Sequence, residues 1–276
     1  MICAVKELLS ILPGWLRQEL DEATVTNLQE IRLRLHGTAE LVLRNTSKRL
    51  SKTVTKEDLQ FCINAASRYS PWNAASAASG YLTSQGGHRI GICGEAVCKE
   101  GQMTGIREVT SLCIRVAKDF HGISEGIPIG GSILILGAPG WGKTTLLRDL
   151  IRRISQTGHH ISVVDERQEL FPAAIFDHGP GTDILSGCRK GEGIDTVLRT
   201  MGPEWIAVDE ITEETDCNAL LRAGWCGVRL LATAHAATYR DYVSRPVYRP
   251  LVESRLFDSV IILRPDKTWR IERGIL

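Results

Sequence analysis

No apolar run in this chain approaches the roughly 20 residues needed to cross a bilayer. The opening Met1-Ile2-Cys3-Ala4-Val5-Lys6-Glu7 lacks the charged segment and apolar stretch of a signal peptide. The expectation is a cytoplasmic protein that meets a membrane only through partner proteins. Aromatic residues make up 6% of the chain and the formal net charge is +1. Neither supports a basic, base-stacking channel for nucleic acid, although a local basic face stays open. Close cysteine pairs are missing as well. Cys3, Cys62, Cys93, Cys98, Cys113, Cys188, Cys217 and Cys226 are scattered with no C-x-x-C spacing, whereas zinc sites draw on closely spaced ligand pairs. Free, mostly buried thiols in a reducing compartment are expected. His159 and His160 have no carboxylate or cysteine beside them and read as a loop pair rather than a metal site.

What is present is an ordinary globular composition, 43% hydrophobic and 24% charged over 276 residues. That length suits one large or two modest domains. The texture changes near residue 122. Upstream lies a small α+β unit. A helical pattern over Val5, Leu8, Leu9 and Leu12 stops at Pro13-Gly14. A second helical stretch leads into Glu30-Ile31-Arg32-Leu33-Arg34-Leu35, whose strict alternation predicts a half-buried strand. Arg32 and Arg34 share its outer face, either solvated or at an interface, and Leu41-Val42-Leu43 can pair with it. Thr55-Lys56-Glu57-Asp58 predicts a capping box for a helix through Arg68, broken by Pro71. A hairpin is expected over residues 80–92 and a strand over 111–116. Lys118-Asp119-Phe120-His121-Gly122 reads as a linker, which divides the chain into residues 1–122 and 123–276.

Downstream, strands and helices alternate. The apolar run Ile133-Leu134-Ile135-Leu136 leads into Gly137-Ala138-Pro139-Gly140-Trp141-Gly142-Lys143-Thr144, and a helical pattern follows to Ser155. Strand, glycine loop and helix form the setting in which G-x-x-x-x-G-K-[ST] means phosphate binding. The glycines let backbone N–H groups face phosphate oxygens, and the helix adds its positive dipole end. Lys143 is placed to reach the β- and γ-phosphates, and Thr144 offers a hydroxyl to Mg²⁺. Residues 137–145, ending at Thr145, are the nucleotide-binding candidates. No N-K-x-D guanine-reading motif occurs, which favours ATP over GTP.

Further apolar strands are expected at 161–164, 205–208 and 229–233, each with polar residues at its end. Helices are expected at 194–201 and 215–223, and Val260-Ile261-Ile262-Leu263 should pair antiparallel with 268–271. Ligand groups gather at the carboxyl ends of parallel strands. Asp209 is suited to hold Mg²⁺ opposite Thr144, and Glu210 to polarise the attacking water. The alternative for both is a cap on the next helix. Asp165 and Glu166 end a neighbouring strand, either ordering Mg²⁺-bound water or the nucleophile, or forming salt bridges to Arg167 or Lys190. His235 stands where a polar side chain can touch the γ-phosphate. An arginine for transition-state charge is often supplied by a neighbouring subunit; Arg89, Arg115 and Arg199 are the candidates.

These motifs together resemble the secretion ATPases of type II and type IV systems. The resemblance rests on residues 137–144, the acidic box 165–169, Asp209-Glu210-Ile211, and Thr233-Ala234-His235-Ala236, which is similar to a histidine box. It implies a PAS-like N-terminal domain before a RecA-like P-loop ATPase domain, and a hexameric ring. Glu30-Ile31-Arg32-Leu33-Arg34 and Gly86-Gly87-His88-Arg89-Ile90-Gly91 extend the likeness to a sporulation branch of the superfamily. That branch implies a motor for a channel between mother cell and forespore, with membrane-embedded components as partners. Thr212 departs from it: secretion ATPases carry arginine there, and the sporulation branch usually carries glycine. Two other classes remain, a RecA-like nucleic-acid translocase and a non-hydrolysing, nucleotide-gated scaffold.

Overall fold

The computed structural model describes residues 2–67, 80–173 and 176–273. The expected helix end at Arg68 and the break at Pro71 lie outside the described residues. The chain divides into Met1–Asp119 with Pro172–Ile175, and Phe120–Phe171 with Phe176–Leu276.

In the first unit β1 (Ile2–Cys3) precedes three short helices, α1 (Val5–Ser10), α2 (Gly14–Gln18) and α3 (Glu22–Asn27). Then come β2 (Leu28–Arg34), β3 (Thr38–Leu43), β4 (Ser47–Thr53), α4 (Lys56–Ser67), β5 (Tyr81–Thr83), β6 (Arg89–Lys99), β7 (Gln102–Arg115) and β8 (Lys118–Asp119). Among the described residues β2 to β7 form one antiparallel sheet in the order β4-β3-β2-β7-β6-β5. Alternation in β2 sends Ile31 and Leu33 into a core shared with Leu8 of α1, Leu12 of the turn after it, Leu16 of α2 and Leu59 of α4. Each such buried aliphatic side chain contributes roughly 1.5–3 kcal/mol. Asp58 caps α4 as expected: Thr55 N–H donates to its carboxylate at 3.0 Å, and Asp58 N–H donates to Thr55 Oγ1 at 3.3 Å. Two expectations need correction. Lys118 and Asp119 are not linker but pair with Ile2 and Cys3. The eight thiols are free but not mostly buried: only Cys62 and Cys217 are, while Cys93, Cys98 and Cys226 are exposed. Cys93 and Cys98 lie on the part of β6 that runs beyond the core.

The second unit contains β9 (Ile133–Leu136), α5 (Lys143–Gln156), β10 (Ile161–Asp165), β11 (Thr182–Ser186), α6 (Lys190–Thr200), β12 (Trp205–Val208) and α7 (Glu214–Trp225). It continues with β13 (Arg229–Ala234), α8 (Tyr239–Ser244), a 3-10 turn at Pro246–Tyr248, α9 (Arg249–Glu253), β14 (Ser259–Leu263) and β15 (Trp269–Arg273). Among the described residues its sheet runs β11-β10-β12-β13-β9-β14-β15, parallel except where β15 turns back on β14. Strands covered on both faces read as continuous apolar runs. In β9, Leu134 and Leu136 enter one core while Ile133 and Ile135 enter the other.

Two elements differ from expectation. The Gly-Pro segment near residue 180 leads into β11, a largely exposed edge strand whose apolar content is the single pair Ile184-Leu185. Helix α6 starts at Lys190, not 194, despite Gly191 and Gly193, which are poor helix formers. Packing explains Gly193: a Cβ there would lie 2.5 Å from Val164 Cγ1 of β10. Among the described residues no helix is long and apolar enough to cross a membrane.

Candidate active site

Four adjacent parallel strands, β10, β12, β13 and β9, deliver their carboxyl ends to one edge of the sheet. The glycine loop leaves β9 there. Gly140 and Gly142 have φ of +78° and +100°, and a Cβ on either would meet nothing within 4 Å. Their glycines therefore answer a backbone requirement, not a lack of space. The loop leads directly into α5 at Lys143. Trp141, at a position the loop motif leaves open, is half-buried and packs on the apolar cluster that includes Ile133, Leu146 and Leu263.

Lys143 is buried, and its Nζ donates to Gly137 O at 2.9 Å, to Ala138 O at 3.2 Å and to His235 Nδ1 at 2.8 Å. An ammonium only donates, so His235 Nδ1 must accept, and the ring proton on Nε2 is directed to Glu210 Oε1, 3.0 Å away. Burial pushes the Lys143 ammonium below its usual range, and the Asp209 and Glu210 carboxylates pull it back up. Thr144 Oγ1 donates to Asp209 Oδ2 at 2.9 Å. The other Asp209 oxygen accepts from Thr233 Oγ1 at 2.7 Å, and Thr233 Oγ1 accepts the Glu210 N–H at 2.8 Å. Glu210 itself is left-handed, with φ 49°. Helix α7 takes Glu213 as its N-cap, in a capping box with Asp216, so Asp209 and Glu210 are not its caps.

The acidic pair at the end of β10 divides into two different roles. Asp165 bends the following loop: its carboxylate accepts N–H groups from Glu169 at 3.0 Å and Leu170 at 2.9 Å. Burial raises its pKa, those amides oppose the shift, and the charge of Asp209 adds to it. Glu166 pairs with Lys190 at 2.5 Å, and Arg167 reaches Glu210 at 3.9 Å. From α5, Arg148 donates to the carbonyls of Glu169 and Leu170 and lies over the Phe176 ring, which ties this loop to the helix of the glycine loop.

The three arginine candidates have partners of their own. Arg89 stacks on Tyr81 at 4.5 Å and Arg115 pairs with Glu30 at 3.4 Å, both in the first unit. Arg199 of α6 donates to Asp195 O one turn back. His159 does have a carboxylate partner, contrary to expectation. Glu204, distant in sequence, lies 2.8 Å from its Nδ1. No group of three or more metal-ligating side chains occurs among the described residues. The Thr144 hydroxyl and Asp209 carboxylate nevertheless supply the hard oxygen donors that suit Mg²⁺ beside a nucleotide phosphate. Thr233 belongs to the histidine-box match but carries no role of its own in the sequence reading, although a lone hydroxyl in Leu230-Leu231-Ala232-Thr233-Ala234 was the signal available.

The sporulation stage III, protein AA family matches residues 4–276 of this chain. Stage III sporulation protein AA of Bacillus subtilis (strain 168) is 34% identical over 279 residues, covering 94% of this chain and 91% of that protein. Among solved structures, the Legionella pneumophila ATPase DotB superposes with a TM-score of 0.64 at 17% identity, over 95% of this chain and 80% of that one. The pilus retraction motor PilT with bound ADP superposes with a TM-score of 0.62 at 18% identity, over 88% and 76%. At those identities the likeness is one of fold, and the fold is the α/β architecture of secretion ATPases.

Proposed function

The chain belongs to the sporulation stage III, protein AA family, and we propose that it is an ATP-hydrolysing, ring-forming motor serving a channel complex between mother cell and forespore. The observation that carries the reading is the joining of glycine loop, Asp209, Glu210 and His235 through Lys143, Thr144 and Thr233. Lys143 and the N–H groups of residues 137–145 other than Pro139 hold the phosphates. Thr144 and Asp209 hold Mg²⁺, which supplies positive charge to the phosphate oxygens when bound. Glu210 orients the attacking water and accepts its proton, giving ADP and phosphate. His235 senses the γ-phosphate, and Glu166 is a further acidic group at the site. Arg89, Arg115 and Arg199 are the candidates for a guanidinium supplied across a subunit boundary. The names of DotB and PilT, an ATPase and a retraction motor, support the same class.

The test is nucleotide binding and phosphate release by the purified protein. Lys143→Ala should lose tight ATP binding. Glu210→Gln should keep binding while turnover falls by about 10²–10⁴, the usual contribution of a general base. Phosphate release by Glu210→Gln at the wild-type rate would overturn the base assignment, and a wild-type protein that binds ATP without hydrolysing it would overturn the enzyme.

A further inference from the structure

Lys190 is an unusual first residue for a helix. It is 5% exposed, and a cation at a helix N-terminus meets the positive end of the macrodipole. A buried ammonium also loses hydration that only close partners restore. Local preference therefore does not account for this lysine; its partners do. Nζ lies 2.5 Å from Glu166 Oε2 and 3.9 Å from Asp216 Oδ2.

Those carboxylates belong to two different elements, Glu166 to the loop after β10 and Asp216 to the first turn of α7. Glu166 follows β10, in the turn shaped by Asp165. Asp216 Oδ2 accepts the N–H groups of Thr212 at 3.1 Å and Glu213 at 3.3 Å, in the segment that leaves Asp209 and Glu210. Lys190 thus links the two acidic strand ends, and β10 and β12 pair side by side beneath them. The side chain next to Glu166, Arg167, already reaches Glu210. Without Lys190 the Glu166 side chain, 35% exposed, has water as its alternative and several rotamers to reach it.

We propose that Lys190 is a positioning residue: it fixes the Glu166 carboxylate relative to Glu210 for the hydrolytic step, an inference that rests on the ATPase reading. Lys190 acts through Glu166 and touches no reacting atom.

The test compares Lys190→Met, Lys190→Arg, Glu166→Gln and the double variant Lys190→Met/Glu166→Gln. Phosphate release, affinity for a fluorescent ADP analogue and thermal midpoint are read for each. Lys190→Met should lower kcat about tenfold or more, because misplaced groups lose rate steeply. Its ADP-analogue affinity should stay within about twofold of wild type. The double variant should be no slower than Glu166→Gln alone, and its loss of thermal midpoint should be less than the sum of the single losses. Lys190→Arg, which keeps the charge, should recover most of the rate. If Lys190→Met does not fold, Lys190→Gln takes its place with the same expectations. Rate losses that multiply in the double variant, or a wild-type kcat in Lys190→Met, overturn the proposal while the ATPase reading stands. A wild-type protein that does not hydrolyse ATP overturns both.

Discussion

Glu210 is held in a left-handed backbone conformation, φ 49°, that a non-glycine residue adopts at a cost of about 1–3 kcal/mol. Thr233 holds it there. Its single hydroxyl accepts the Glu210 N–H and donates to Asp209, so one oxygen sets the end of β12 from the neighbouring strand β13. Thr233→Val keeps the shape of the side chain and removes both hydrogen bonds. It should destabilise the protein by about 1–3 kcal/mol, the cost of leaving polar groups unpaired, read as a lower urea midpoint. Thr233→Ser should restore the midpoint to near wild type. Equal midpoints for Thr233→Val and wild type would show that Glu210 is held by something else. Lys143 has the opposite character. Its ammonium is occupied by two carbonyls of its own loop and by His235, so phosphate oxygens must exchange with these partners.

Helix α5 works at both ends. Its first turn carries Lys143 and Thr144, while Asp149, further along, accepts the N–H of Gly122 at 3.1 Å and of Ser124 at 2.7 Å and pairs with Arg152. Arg153 donates to the carbonyls of Ser124 and Ile127. The helix that begins at the glycine loop thereby fixes the segment through which the chain enters the second unit. Asp149→Ala strips a buried arginine and two amides of their acceptor and should cost about 3–5 kcal/mol. Urea unfolding followed by circular dichroism reads the loss, and a change below 1 kcal/mol would contradict the geometry. The legibility of this unit follows its physics. β9, β12 and β13 are apolar because the sheet buries both faces, so they were readable from residue runs alone, as was the glycine loop between strand and helix. β11 was not, because the single pair Ile184-Leu185 is a weak apolar signature for an exposed edge strand. The start of α6 was hidden by Gly191 and Gly193, and the reason for Gly193, the approach of Val164, exists only once the helix lies on β10. Lys190 was legible as a salt-bridge partner for the acidic pair that ends β10, and Glu166 takes it, whereas no role for Thr233 could be read. The pairing of β12 with β13 brings Thr233 beside Asp209, and Lys190 meets Glu166 from the start of α6, each across 24 residues of chain.

At the scale of the whole molecule the charges of the proposed site are mostly engaged with one another. Lys143 is bound by His235 and loop carbonyls, Arg167 lies near Glu210, and Lys190 is bound by Glu166. A transferring phosphoryl group still requires stabilising charge, commonly an arginine from another subunit. In the first unit Arg89 and Arg115 are register partners on β6 and β7, with Glu30 facing Arg115 from β2. Arg89 reaches Tyr81 of β5 and Arg115 reaches Glu30 of β2, so both arginines belong to one sheet with partners on opposite sides of the pair. If the proposed ring forms, Glu210→Gln with ATP and Mg²⁺, which holds nucleotide without turnover, should scatter light as a larger species than the nucleotide-free protein. A single monomeric mass under both conditions would remove the ring and the trans arginine together. Alanine at Arg89, Arg115 or Arg199 then identifies the residue. The one acting in trans should lower turnover by about 10³–10⁵ while ATP affinity holds. Mixing that variant with Lys143→Ala subunits should recover part of the activity, because some interfaces then pair an intact nucleotide loop with an intact arginine. An arginine acting within its own chain gives no such recovery, because each mixed subunit still lacks either its loop lysine or its arginine.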